Sequence, residues 1–242
     1  MNEQGITLID QAKRYLEQQA DLYGDALVLD DVHILKNARQ KKSKTGSFSL
    51  SEFDQQINTC QACALGATRN AFVFGEGNPN ANLMLIGEAP GEEEDKLGRP
   101  FVGSAGQLLD KILAAVEFKR DEVYICNILK CRPPENRDPA LEEIEQCVPY
   151  LKKQIEIIQP QIIMALGRVA GQVLLNQSGS LAHMREKVHQ YQNIPVLVTY
   201  HPAALLRNPQ WKRPVWEDVQ KMRRLYDETV GDKPTWQPLK KS

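Results

Sequence analysis

Four short apolar runs set the framework of this chain: "NLMLIG" at 82–87, "EVYICN" at 122–127, "PQIIMALG" at 160–167 and "IPVLVTYH" at 194–201. Each has the length and near-continuous hydrophobicity of a strand buried on both faces. Segments at helical spacing separate or flank them: "SAGQLLDKILAAVEF", "PALEEIEQCVPYLKKQIEII", "RVAGQVLLN" and "WEDVQKMRRLYDETV". Strands alternating with helices predict a parallel sheet covered on both sides. The expected fold is therefore α/β, three layers (α/β/α) around a central four-stranded parallel sheet. In such sheets ligands bind beyond the carboxyl ends of the strands. Those ends here read "GEAPG", "CNILKCRPP", "LGR" and "HPAALLRN", with polar, glycine and proline residues that a plain connection does not need.

The 242 residues suit one α/β domain with an extension. Hydrophobic residues make up 42% and charged residues 25%, enough for a real core, and a net charge of −1 argues against a bulk electrostatic binder of nucleic acid. No apolar run approaches the roughly 20 residues of a membrane span, and the N-terminus lacks the pattern of a secretory signal, so a cytoplasmic address is expected. Residues 7–22 read as an amphipathic helix, and 37–52 as a basic linker with Lys41, Lys42 and Lys44. The expected organisation is a helical extension and linker at 1–50, a main domain at 51–232 and a tail at 233–242.

Five cysteines in such a chain are not a disulfide scaffold. Cys60 and Cys63 form a CxxC whose two sulfurs can meet one metal centre, and Cys131 and Cys147 would complete a four-thiolate set. Zinc and a [4Fe–4S] cluster both accept four thiolates, so spacing alone does not choose. Cys126, inside an apolar strand, reads as a buried hydrophobe.

The loop "GEAPGEEEDKLGRPFVG" turns tightly where a phosphate loop would, but its carboxylates would repel phosphate. Glu92, Glu93 and Glu94 read as a solvated surface. Glu88, held between Gly87 and Pro90, can instead orient a water or stabilise a developing cation. Phe101 either plugs the core or walls a flat ligand. Asn127 ends the second strand with a donor and an acceptor suited to the edge of a planar heterocycle. His201 ends the fourth, beside a proline-stiffened loop where Arg207 can meet a phosphate.

"GEAPGEEEDKLGRPFVGSAGQLLD", "CNILKCRPPENRDP" and "HPAALLRNP" together closely resemble the family-4 uracil-DNA glycosylases, the iron–sulfur branch of that superfamily, over roughly residues 55–230. The resemblance implies a monofunctional glycosylase that flips uracil out of single- or double-stranded DNA and hydrolyses its glycosidic bond, with a [4Fe–4S] cluster on the four cysteines in preference to zinc. It implies Glu88 and His201 as catalytic, Ala89, Phe101 and Asn127 as contacts to the base and sugar, and Leu205 as the wedge in the vacated stack. Arg207, Lys130 and Arg132 would grip flanking phosphates. A monomer is expected, with the N-terminal extension available to a replication or repair partner. The alternative is a non-catalytic iron–sulfur DNA-binding relative.

Overall fold

The computed structural model describes residues 49–238. Helix α1 (Leu50–Ile57) and the short α2 (Leu65–Thr68) precede strands β1 (Glu76–Gly77) and β2 (Leu83–Gly87). Helices α3 (Glu92–Leu97) and α4 (Ser104–Ala115) lead to β3 (Tyr124–Asn127), then α5 (Leu141–Ile158), β4 (Ile162–Leu166), α6 (Arg168–Leu175) and α7 (Leu181–Arg185). Strands β5 (His189–Tyr191) and β6 (Ile194–Thr199) and helices α8 (Pro202–Arg207) and α9 (Lys212–Thr229) complete the order. No helix among the described residues is long and apolar enough to cross a membrane.

The strands form one sheet in the order β1-β3-β2-β4-β6-β5. The four expected strands are its centre, and all neighbouring pairs among them run parallel. The sheet is wider than expected because β1 and β5 add short antiparallel edges. Neither was legible as an apolar run: β1 is two residues long, and β5 reads His-Gln-Tyr.

Side chains of the central strands alternate between two cores. Met84, Ile86, Ile163, Ala165, Val196 and Val198 pack with α1, α5 and α6 on one face. Leu83, Leu85, Ile162, Met164, Leu166 and Leu197 pack with α4 and α9 on the other. Every residue of β2, β3 and β4 is buried, as a strand covered on both faces requires. Because β3 lies on one side of β2 and β4 on the other, the winding reverses between β2 and β4. A crevice opens at such a reversal, and the loops after those strands line it.

Both ends of the main domain differ from expectation. Residues 50–52, assigned to the linker, already belong to α1. Ser49 Oγ accepts from the Glu52 amide at 3.1 Å while the Glu52 carboxylate accepts from the Ser49 amide at 2.7 Å, a reciprocal cap written in the sequence as "SLSE". Phe53 and Ile57 of this helix are core residues. The expected helix at 7–22 and the lysines at 41, 42 and 44 lie outside the described residues. At the other end, residues 233–238 are not a loose tail. Trp236 is 6% exposed, packs edge-on against Trp216 with ring centres 5.8 Å apart, and its amide donates to Asp227 Oδ2 at 3.0 Å. Buried Arg223 donates to the Pro234 carbonyl at 2.8 Å, and Lys233 pairs with Glu122 at 2.6 Å. Replacing Trp236 with alanine is expected to lower the unfolding free energy by about 3 kcal/mol, read from urea denaturation. A loss under about 1 kcal/mol would mean that this segment is only draped on the core.

Candidate active site

Phe101 sits at the switch point in a backbone conformation that L-residues avoid, with φ 52°. Such a residue costs about 1–3 kcal/mol and persists only where its surroundings over-determine it. Here the clamp is visible. Arg120 donates to the carbonyls of both Pro100 and Phe101, the latter at 3.1 Å, and is anchored on Asp110 at 3.0 Å. Glu94 Oε1 accepts from the amides of Val102 and Gly103, both at 2.8 Å, and its other oxygen caps α3 at the Gly91 amide. Glu94 is therefore a structural brace rather than the solvated surface residue expected. Neighbouring Asp95 is 2% exposed and accepts from the Asn70 amide at 3.0 Å, tying α3 to the segment before β1. Glu92 and Glu93 remain exposed and pair with Lys96.

The Phe101 ring lies against Gly87, Asn127 and His201. A Cβ added at Gly87 would stand 2.4 Å from Asn127 Oδ1 and 2.6 Å from Phe101 Cζ, so only glycine admits both. Asn127 faces Gly87 across the β2–β3 pair. It is 1% exposed, and its Oδ1 is buried with no hydrogen-bond partner. A buried acceptor without a donor is costly.

Lys130 does not reach outward to phosphate. Its ammonium is fully buried, donating to the Asn127 carbonyl at 2.8 Å and to Gln154 Oε1 at 2.6 Å. The DNA-gripping role is overturned, because the chain beyond β3 stays inside the core for several residues. What Lys130 does is hold the Asn127 backbone.

His201 caps α8, its Nδ1 accepting from the Ala203 amide at 3.2 Å. That bond leaves the proton of the neutral ring on Nε2. Burial holds the imidazole pKa down to about 4; the Glu94 carboxylate opposes the drop and the Arg207 guanidinium adds to it. The ring lies 5.4 Å from that of Phe101, and Gly167, at φ 101°, passes so close that a Cβ there would meet His201 Cβ at 3.2 Å.

Leu205 is 2% exposed and belongs to the core, so it is not a wedge. Three residues after buried Pro202, it shares that inward face of α8. The next residue, Leu206, is turned outward and is 48% exposed, beside exposed Arg207. Glu88 is half-buried. Burial raises its pKa, helped by the Asp138 carboxylate and opposed by the Arg168 guanidinium. Its carbonyl and that of Gly87 accept from Leu129 and Ile128, which fixes the backbone leading to Ala89. Arg132 is partly exposed and donates to Asn136 Oδ1 at 2.8 Å.

All four expected cysteines line one hollow with Arg69 and Tyr150. The sulfurs accept hydrogen bonds already: Cys60 from Tyr150 Oη at 3.1 Å, Cys131 from Arg69 at 3.2 Å, and Cys147 from the Lys130 amide at 3.3 Å. Burial pushes the Cys147 thiol up to about 11 and that of Cys131 upward. No group of three or more His, Cys, Asp or Glu side chains among the described residues forms a ready-made metal site. Cys126 stays apart, fully buried in β3 as expected. Glu94, Arg120, Arg69 and Tyr150 escaped the sequence reading. Only Glu94 left a local signal, in the capping pattern "GEEE".

The centre of this α/β sheet thus brings a clamped ring, an unpaired amide oxygen and a neutral histidine together at its switch point. The model of the uracil DNA glycosylase superfamily matches residues 74–220. The Type-4 uracil-DNA glycosylase of Archaeoglobus fulgidus is 41% identical over 185 residues, which is 73% of this chain and 93% of that protein. That of Sulfurisphaera tokodaii is 45% identical over 186 residues, 73% of this chain and 84% of its own. A Type-5 enzyme of Pyrobaculum aerophilum is 32% identical over 146 residues, covering 53% and 64%. The chain belongs to the uracil DNA glycosylase superfamily and, within it, to the Type-4 uracil-DNA glycosylases, as its motifs led one to expect.

Gly87→Ala is expected to push Phe101 and Asn127 apart, to cut excision of uracil at least tenfold, and to cost about 1–3 kcal/mol of stability by overpacking a buried site. Unchanged kinetics in that variant would show that the close packing around Gly87 has no part in the site.

Proposed function

We propose that this chain is a monofunctional uracil-DNA glycosylase that starts base excision repair of deaminated cytosine. The observation that carries this reading is the buried, unpartnered Asn127 Oδ1 beside Phe101 and a neutral His201. Uracil offers an N3–H to such an acceptor, whereas cytosine has an unprotonated N3 and would set two lone pairs against each other. Reaching that acceptor requires the base to leave the duplex stack. Phe101 then stacks on its face, and the Ala89 backbone borders the sugar.

As the C1′–N1 bond breaks, its electron pair passes to the uracil ring and charge gathers on O2. His201 Nε2–H donates to that oxygen, a role that a neutral imidazole performs without surrendering its proton. The Glu88 carboxylate faces the sugar, where it orients the attacking water and stabilises the positive charge developing at C1′. Water oxygen bonds to C1′, and its proton balances the departing uracil anion. No lysine amine stands in the pocket set, which favours an abasic product over strand cleavage. Arg207 and Arg132 are the candidates for phosphate contact, and Leu206 replaces Leu205 as the side chain free to fill the gap.

The cysteine hollow suits a [4Fe–4S] cluster on Cys60, Cys63, Cys131 and Cys147. Four thiols on one cavity, each region supplied with N–H or O–H donors, match the needs of thiolate ligands, and a cation would offset the cost of ionising buried thiols. When bound, the cluster would cross-link the CxxC segment, the loop after β3 and α5. The protein is expected to purify brown with absorbance near ~400 nm, lost in Cys147→Ser. A colourless sample holding zinc would overturn the assignment. We further place the protein in the cytoplasm as a monomer acting on single- and double-stranded DNA.

His201→Ala and Asn127→Ala are each expected to reduce uracil release about a hundredfold. Losses under tenfold in both would mean that the roles are misassigned. With a folded pKa near 4 against an ordinary 6.5, His201 should leave no kinetic limb near pH 6.5. Because the unfolded chain binds a proton between those values that the native chain refuses, His201 lowers stability as pH falls through that window. The acid limb of excision should instead follow Glu88, above pH 4.5, and shift downward in Glu88→Gln. A limb near 6.5 that survives in Glu88→Gln would show that His201 protonates during turnover.

A further inference from the structure

A column of planar groups stands beside the pocket and has no part in the chemistry above. Asp218 holds Arg185 through two oxygens, at 2.7 and 3.1 Å, and Thr199 at the end of β6 donates to the same carboxylate at 2.6 Å. The Arg185 guanidinium lies 4.7 Å from the ring centre of Tyr200. The Trp211 indole stacks on Tyr200 with ring centres also 4.7 Å apart and planes 17° from parallel. The Tyr200 ring therefore has both the Arg185 guanidinium and the Trp211 indole as partners.

Tyr200 directly precedes His201, and the turn Pro209–Trp211 follows α8, so the column is covalently continuous with the loop that carries His201, Leu206 and Arg207. Backbone bonds from Asn208 to Ala204 and from Trp211 to Asn208 leave that loop little freedom. Trp211 is only half-buried, and Lys212 beside it and Arg207 before it are both exposed cations. Trp211 packs in part against the core but is not enclosed by it. A rigid aromatic ring flanked by positive charge is how proteins hold a base of a single strand, since every base has a π-face and its phosphates seek cations.

We propose that Trp211 is a stacking platform for an unpaired base of the substrate strand close to the flipped uracil, and that it favours single-stranded substrate. The proposal rests on the uracil-DNA reading of the pocket. Its test uses single-stranded oligonucleotides carrying non-cleavable 2′-fluoro-deoxyuridine, with an abasic tetrahydrofuran spacer placed in turn at each neighbouring position. For the unaltered protein, one spacer position within about three nucleotides of the uracil is expected to weaken binding about tenfold, the scale of one lost base–aromatic stack. Trp211→Leu should abolish that position dependence and raise KM for single-stranded substrate about tenfold with kcat unchanged, while Trp211→Phe should retain most of it.

A flat spacer scan with the unaltered protein overturns the proposal, whether or not the leucine variant folds. So does a position dependence that survives in folded Trp211→Leu. Release of uracil from a cleavable oligonucleotide, measured alongside, reports on the pocket by itself. Absence of release would sink the glycosylase reading, whereas release with a flat scan sinks only the platform.

Discussion

The clamp on the Phe101 loop is the constraint on which the site depends. A ring held at positive φ between two carbonyls bound by Arg120 and two amides bound by Glu94 cannot relax without breaking four hydrogen bonds. Those bonds set one wall of the pocket before any ligand arrives, which removes the ordering cost that a mobile wall would levy on binding. Gly106 completes the fit, since a Cβ there would run into the Phe101 carbonyl. The acidic loop that looks like a poor phosphate cradle is better understood as the fastening of this wall.

Two features of the pocket oppose stability, and both make chemical sense. Asn127 keeps an acceptor buried and unpaired, and His201 is held neutral where solution pH would begin to charge it. On the proposed reading, a base with the matching hydrogen-bond pattern would relieve the first of these, and the wrong base would leave Asn127 unsatisfied and add a repulsion of its own. Lys130, buried beside Asn127, pins the strand end through the Asn127 backbone carbonyl.

The cysteine hollow joins distant parts of the chain. Arg69 reaches from the segment after α2 to the Cys60 carbonyl at 2.7 Å and to Cys131 Sγ, and Tyr150 reaches from α5 to Cys60. Asn127 and Lys130 are separated by only a few residues from Cys131. Whatever holds the four sulfurs together therefore also bears on the strand end that presents Asn127.

How much of this was legible follows from the range of the interactions involved. The four central strands, their parallel winding and the loops at their carboxyl ends were determined by local apolar runs and periodicity, because burial on both faces leaves a mark on each strand by itself. The long motifs of those loops likewise carried the family and put forward Glu88, Phe101, Asn127 and His201 as candidates. The sequence alone did not decide which of two adjacent leucines points outward, whether Lys130 faces solvent, or that Glu94 and Arg120 hold Phe101. Nor did it reveal that Trp236 returns to the core or that Trp211 stacks on Tyr200. Those outcomes depend on which helix face meets the sheet and on partners up to dozens of residues away. Such contacts exist only once the chain has closed on itself, so the tertiary structure decided them.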